Sequence, residues 1–331
     1  MRKLLLVLLL MFILLFTLPL ILLDSCEVKE KSGSDYEKFT TMKGSLSIKV
    51  YNSKLNEVVE MDLEDYILSV LAGEMPASFH MEALKAQSLA ARTYTVMRIR
   101  AFGGKGCTQH AGADVCTDSV HCQAFVDIGT LSGEKVERLK QAVESTKGEV
   151  IVYQDNLIDA VFHSTSGGRT ENSEDIWESV VPYLRGVESV YEQASPKLVT
   201  YTEMKISDFI SRIKKLDSSV KINAKNIKKE IEIIDRSSGG RITVIKIGNK
   251  RFKGEKVRTA LGLNSGNFEI EYAGDIMKFR VMGNGHGIGM SQYGADGLAK
   301  LGYLYTDIVK HYYKGVEIVN VYELLNGSVR D

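Results

Sequence analysis

Five side chains able to hold a metal, Cys107, His110, Cys116, His121 and Cys122, fall within sixteen residues, CTQHAGADVCTDSVHC. Three of the chain's four cysteines and two of its six histidines are concentrated there, so any fold this chain adopts has to tie that segment down. Zinc favours four soft or borderline donors in a tetrahedron. His110, Cys116, His121 and Cys122, spaced His-x5-Cys-x4-His-Cys, supply two imidazoles and two thiolates from one loop. Gly103, Gly104, Gly106 and Gly112 make the same stretch flexible and in need of a tie. A disulfide such as Cys107 to Cys116 is the competing explanation, because cysteines outside the cytosol usually pair, but it leaves both histidines without a purpose. A catalytic zinc would keep one position open, whereas four donors argue for a closed structural shell. Cys107 either replaces one of the four donors or stays free.

Export is expected from the other end of the chain. Arg2 and Lys3 precede an apolar run, Leu4 to Leu23, interrupted only by Thr17 and Pro19, with Asp24, Glu27 and Glu30 beyond it. Twenty such residues match a hydrocarbon core of roughly 30 Å, so residues 1–23 are expected to form a single membrane span with its basic end in the cytoplasm and all that follows outside. A cleaved signal peptide is the alternative, and Leu23-Asp24-Ser25-Cys26 is a poor lipoprotein processing site. Residues 24–43, polar and charged, are expected to be a tether, leaving residues 44–325 for one large domain. With 44% apolar residues, 25% charged residues and no net charge, the chain lacks the basic excess that binding to nucleic acid requires.

Periodicity predicts an α+β fold of mixed helices and short antiparallel strands; a substrate groove between them, the zinc-tied loop and a small inserted lobe at about residues 200–262 are further expectations. Strands are expected at 46–50 and 58–61 as a hairpin about Asn52-Ser53. A helix capped by Asp62 should follow and break at Met75-Pro76, and a longer one capped by Ser78 should run to Phe102. Ala83, Ala86, Ala90 and Ala91 would let a neighbour come close to that second helix. Further expectations are a helix at about 134–146, strands near 149–153 and 157–163, and a lysine-rich helical pattern over 203–236 before the strand ITVIKIG. Two alternating segments, NFEIEY and MKFRVM, lead to a glycine cluster at 283–297.

Among acids, Glu74 stands out. It lies in the last turn of the first predicted helix, where the negative end of the macrodipole pushes a carboxyl pKa upward, as a general acid requires. Position alone favours a surface glutamate at a fraying helix end. The glycine cluster fits neither a dinucleotide fingerprint nor a phosphate-binding loop; close backbone approach to an extended ligand and tight turns between core elements are the two readings of its glycines. Gln292 and Tyr293 within it offer polar and stacking contacts, and Trp177, the only tryptophan, offers a stacking face or a core side chain. His163 beside Ser164, Thr165 and Ser166 lacks the elbow motif of a serine hydrolase.

The segments GEMPASFHMEALKAQSLAARTY, HSTSGG and GNGHGIGMSQYGADGLA resemble the stage II sporulation protein D family, which is related to amidase-enhancer proteins of bacterial cell walls. The resemblance spreads over most of residues 45–320. It implies a membrane-anchored lytic transglycosylase that cuts peptidoglycan glycan strands during engulfment of the forespore, prefers strands stripped of stem peptides, and works with a cell-wall amidase and a further membrane protein. The domain would then sit at the cell membrane on the mother-cell side, facing the intermembrane space. Glu74 would be the catalytic acid, and Arg92, Ser166, Trp177, Gln292 and Tyr293 would contact substrate. His110, Cys116, His121 and Cys122 would hold a structural zinc. A non-catalytic activator of an amidase and a zinc hydrolase are the rival expectations.

Overall fold

Alternation of apolar and polar residues over 47–62 produces the expected hairpin. Strand β1 (Ser47–Asn52) pairs antiparallel with β2 (Glu57–Asp62), in register from Ser47 opposite Asp62 to Asn52 opposite Glu57. The computed structural model describes residues 46–177 and 179–325. Asp62 closes the hairpin and caps helix α1 (Leu63–Glu74), its carboxylate accepting from the amides of Glu64 and Asp65 at 2.8 and 3.4 Å. Helix α1 stops where predicted, with Met75 extended ahead of Pro76.

Helix α2 (Met81–Val96) differs at both ends from the expected span. Residues 76–79 form a turn, Phe79 N bonding Pro76 O at 3.0 Å, so the cap moves from Ser78 to His80, whose Nδ1 accepts from Glu82 N at 3.3 Å. Beyond Val96 the chain folds back on itself, and a Cβ at Gly104 would sit 2.3 Å from the Arg98 carbonyl carbon. Strand β3 (Val115–Cys116) then joins β1 in parallel, which lays the cysteine-rich segment against the hairpin. The four alanines of α2 are fully buried, and their small size lets α1, α3 (Gly133–Glu144) and β4 (Glu149–Tyr153) pack directly on it.

Arg92, inside α2, has no exposed surface. Its guanidinium forms an ion pair with Glu64 of α1 at 2.6 Å and donates to the Glu149 and Val143 carbonyls at 3.1 and 3.4 Å. The resemblance implied that Arg92 contacts substrate; instead it welds α1, α2, α3 and β4 together, and its side chain is sealed in the core. Arg92→Met should therefore destabilise the fold by about 3–5 kcal/mol, the usual result of leaving a buried partner charge alone. Equilibrium urea unfolding of both proteins measures it.

Short strands follow: β5 (Asn156–Leu157) against β4, β6 (Phe162–His163), and the antiparallel pair β7 (Gly168–Arg169) and β8 (Glu188–Ser189). Residues 199–282 bury a cluster of their own. It is built from β9 (Val199–Lys205), α4 (Ile206–Leu216), the sheet of β10 (Ile231–Arg236), β11 (Ile242–Ile247) and β12 (Lys250–Lys253), α5 (Gly254–Leu261), β13 (Asn267–Ala273) and β14 (Ile276–Met282). Because β14 pairs along its length with β9, this cluster runs past residue 262. Residues 231–236 are a strand, not the end of a helical pattern, since pairing with β11 carries Ile231 and Ile233 to the apolar cluster. The chain closes with β15 (Met290–Ser291), parallel to β6, then α6 (Gln292–Lys300) and α7 (Tyr305–Tyr312), both packed on α2, and β16 (Glu317–Asn320) against β4. The α+β class is as expected.

Among the described residues no helix is long and apolar enough to cross a membrane. The single-pass location at the cell membrane expected from the sequence is corrected by this finding; the proposed span at 1–23 and tether at 24–43 lie outside the described residues.

Candidate functional site

Glu74 is the last residue of α1, and its half-buried carboxylate is held from two directions. The Ala124 amide donates to Oε1 at 2.8 Å, and the Gln292 side-chain amide donates to Oε2 at 3.2 Å. Glycine at 73 makes the first contact possible, because the 124–125 backbone crosses α1 there and a Cβ would lie 2.9 Å from the Ala124 carbonyl carbon. Burial raises the Glu74 pKa above its ordinary 4.5, while the bonds from Ala124 and Gln292 pull it down. The sequence argument from the helix dipole gave this direction; desolvation is the cause in the fold. Each oxygen retains acceptor capacity for a further partner.

Of the residues expected to meet substrate, Gln292 is thus brought to Glu74. Tyr293, its neighbour, packs edge-on against Phe79 with ring centroids 4.9 Å apart, and its amide donates to the Ser164 carbonyl at 3.1 Å. Trp177 is half-buried, its ring 6.3 Å from that of His286. Ser166 is fully buried, with its hydroxyl accepting from Gly168 N at 3.1 Å, so it closes a turn and is corrected out of the substrate contacts. Ser164 bonds the Thr165 hydroxyl at 3.3 Å, and His163 Nδ1 contacts the Ile288 carbonyl at 3.1 Å, which is no nucleophile pair. The glycine cluster gives clearance to protein atoms. A Cβ at Gly287 would lie 2.3 Å from the Arg241 guanidinium, and one at Gly294 would lie 2.1 Å from the Tyr312 hydroxyl. Arg241 is itself buried in an ion pair with Glu171 at 3.0 Å, a contact between the residue just before β11 and the segment after β7 that nothing local in the sequence announces.

The cysteine-rich loop gathers Cys107, Cys116, His121 and Cys122, whose ligand atoms lie within 4.8 Å of one another. His121 Nδ1 is 3.5, 3.3 and 3.4 Å from the three sulfurs in turn. A tetrahedral ion with metal–sulfur and metal–nitrogen bonds of about 2.3 and 2.0 Å would set sulfur and nitrogen about 3.5 Å apart, so the spacing fits a thiophilic metal. The other ring nitrogen, Nε2, meets the Thr108 hydroxyl at 2.8 Å, the kind of outer contact that fixes a ligand's orientation. None of the three thiols is in a disulfide. Burial, with the Cys122 thiol beside it, pushes the Cys116 thiol up to about 12, a cost that a bound cation reverses. His110, expected as a ligand, instead stacks on Tyr51 with ring centroids 3.6 Å apart, and Cys107 completes the four. The loop also reaches Glu74, since Cys122 lies two residues before Ala124.

The sequence did not reveal Ala124, which acts through its backbone, or Glu64, the partner of Arg92. A crowded trio of cysteines was the signal available for Cys107.

A sequence profile described as Stage II sporulation protein matches residues 51–153, the stretch that carries Glu74, Arg92 and the whole cysteine-rich loop. Stage II sporulation protein D of Bacillus subtilis (strain 168) is 37% identical over 295 residues, covering 86% of this chain and 83% of that protein. The protein of the same name from Bacillus amyloliquefaciens is 34% identical over 299 residues, covering 88% and 83%. An amidase enhancer of Bacillus subtilis is 30% identical over 300 residues, which is 76% of this chain but 40% of that protein. Similarity at this level across most of both lengths establishes that the chain belongs to the stage II sporulation protein D family, with a role in sporulation.

Proposed function

We propose that this protein cleaves the glycan strands of peptidoglycan as a lytic transglycosylase during cell-wall remodelling in sporulation, with Glu74 as its acid and base and residues 44–325 as the catalytic domain. The observation that carries the reading is a half-buried carboxyl group of raised pKa held by two hydrogen bonds, one on each oxygen. Hydrolytic glycosidases need two carboxyl groups, one to protonate the leaving oxygen and one to attack or to activate water. Transglycosylation needs only one. Protonated Glu74 donates to the glycosidic oxygen as the bond from muramic acid C1 to that oxygen breaks. The C6 hydroxyl of the same sugar then bonds C1 and returns its proton to Glu74. Intramolecular attack gains from proximity, and the acid is regenerated.

The chain's own groups do the positioning. Ala124 and Gln292 hold one oxygen each, which restrains rotation of the carboxyl group, and the rings of Tyr293 and Trp177 are the proposed stacking faces for sugar. Zinc is the proposed occupant of the Cys107, Cys116, His121 and Cys122 site, where a four-donor shell supplies structural tethering. Tied there, the segment through Cys122 and Gln123 presents the Ala124 amide to Glu74.

Mass spectrometry of products from glycan strands stripped of stem peptides tests the activity. The expected product ends in 1,6-anhydro-muramic acid, one water lighter than a hydrolytic product; reducing ends alone would sink the proposal. Similarity to an amidase enhancer supports a second reading, in which the protein activates a cell-wall amidase. Under that reading the purified domain releases no glycan fragments yet accelerates the amidase.

A further inference from the structure

Glu192 lies in the loop between β8 and β9, 1% exposed, with its carboxylate surrounded by donors from three separate segments. Oε1 accepts from the Ser166 amide and the Ser189 hydroxyl, both at 2.9 Å, and from the Ser291 hydroxyl; Oε2 accepts from the Gly167 amide at 2.9 Å. Oε1 thus gathers three donors and Oε2 one. The directions are forced. Ser189 gives its only hydroxyl proton to Glu192, so in the 2.8 Å contact between Tyr312 and Ser189 the tyrosine is the donor. Ser291 gives its proton to Glu192 and accepts from the Gly294 amide at 3.2 Å, which makes it the N-cap of α6. Gly294 has no side chain to obstruct this: a Cβ there would overlap the Tyr312 and Ser189 hydroxyls.

The next residue after that cap is Gln292, which reaches Glu74. We propose that Glu192 is a positioning residue for the acid, locking the start of α6 to the Ser166–Gly167 turn so that Gln292 is held at Glu74; this rests on the reading of Glu74 as the acid. Burial and four strong donors make the lock stiff, and a stiff lock suits a carboxyl group that must keep one orientation through two proton transfers. Tyr293 N to Ser164 O, at 3.1 Å, pins the same helix start to the same turn from the other side.

The experiment compares Glu192→Gln, Ser291→Ala and Gln292→Ala with the parent protein by three readouts: the pH profile of glycan cleavage, kcat against KM, and the titration of the Glu74 carboxyl followed by carbon NMR and assigned with Glu74→Gln. Glu192→Gln keeps the volume but presents an amide to donors that need an acceptor. Ser291→Ala removes the link between Glu192 and α6 together with the cap bond to the Gly294 amide. If the proposal holds, all three variants move the Glu74 titration to higher pH, because a hydrogen bond that lowers its pKa is weakened. They also lower kcat about tenfold or more with little change in KM, as a misplaced catalytic group does. A lower melting temperature with an unmoved titration in Glu192→Gln and Ser291→Ala would reduce Glu192 to a fold residue and overturn the proposal. If Glu192→Gln does not fold, Glu192→Asp, which keeps the charge but draws it back from Ser291 and leaves the α6 cap in place, is read in its stead by the same criteria. A shifted titration in a protein that cleaves no glycan would uphold the positioning and overturn the reading of Glu74 as the acid.

Discussion

Replacing Glu74 with Gln is expected to lower glycan cleavage by about 10²–10⁴-fold, the range for removing a positioned acid and base, while leaving the domain folded. Glutamine matches the shape and still accepts from the Ala124 amide, but it has no proton to give and cannot take one back. In the parent protein the rate should fall as pH rises through the Glu74 pKa, because the group must start protonated, and the raised pKa carries that limb above the ordinary carboxylate range. The same shift has a stability consequence. A carboxyl group whose pKa is higher folded than unfolded binds its proton more tightly in the fold, so its contribution is fully present below the unfolded value of 4.5 and is lost as pH rises through the folded value. Glu74→Gln should therefore unfold with less dependence on pH than the parent in that window. Cleavage by Glu74→Gln at the parental rate would remove the acid from the mechanism.

Metal removal should cost stability and activity together. At free metal a thousandfold above Kd, binding adds about 4 kcal/mol to the folded state. At about 2–4 °C per kcal/mol for a domain of this size class, chelation should lower the melting temperature by about 8–16 °C. Activity should fall too, since releasing Cys122 frees the segment that holds Ala124 against Glu74. A catalytic metal would give the opposite pattern, with turnover abolished and stability nearly unchanged. Metal analysis of two variants identifies the fourth ligand: Cys107→Ala should lose the bound ion, whereas His110→Ala should keep it and lose only a ring stack of about 0.5–1.5 kcal/mol. The reverse result would restore the set read from spacing.

That difference shows how far spacing reaches. The loop was legible as a metal site because its donors are crowded within sixteen residues, and crowding is a property of sequence. Which donors converge depends on where β3 lands, and its pairing with β1 puts Tyr51 where its ring captures His110. Helix α1 was legible at both ends for a related reason, since the Asp62 cap and the Met75-Pro76 break act over two or three residues. Ser78 failed as a cap because the turn that Phe79 makes with Pro76 was available to compete. The partner of Arg92 was beyond reach, because Glu64 lies on another helix and only packing brings the two charges together.

The amino-acid order by itself determined the hairpin and the first helix, the α+β class, a thiol-rich loop that demands a tie, and Glu74 at a helix end. Each follows from forces that act between near neighbours along the chain: backbone preference, capping, and the crowding of donors. Only the tertiary structure decided what surrounds that carboxyl group, namely the Ala124 amide, Gln292 and, behind it, Glu192. It also sealed Arg92 and Ser166 in the interior. Burial and hydrogen bonds between distant segments exist only once those segments are packed, and both the pKa of Glu74 and the orientation of its oxygens depend on them.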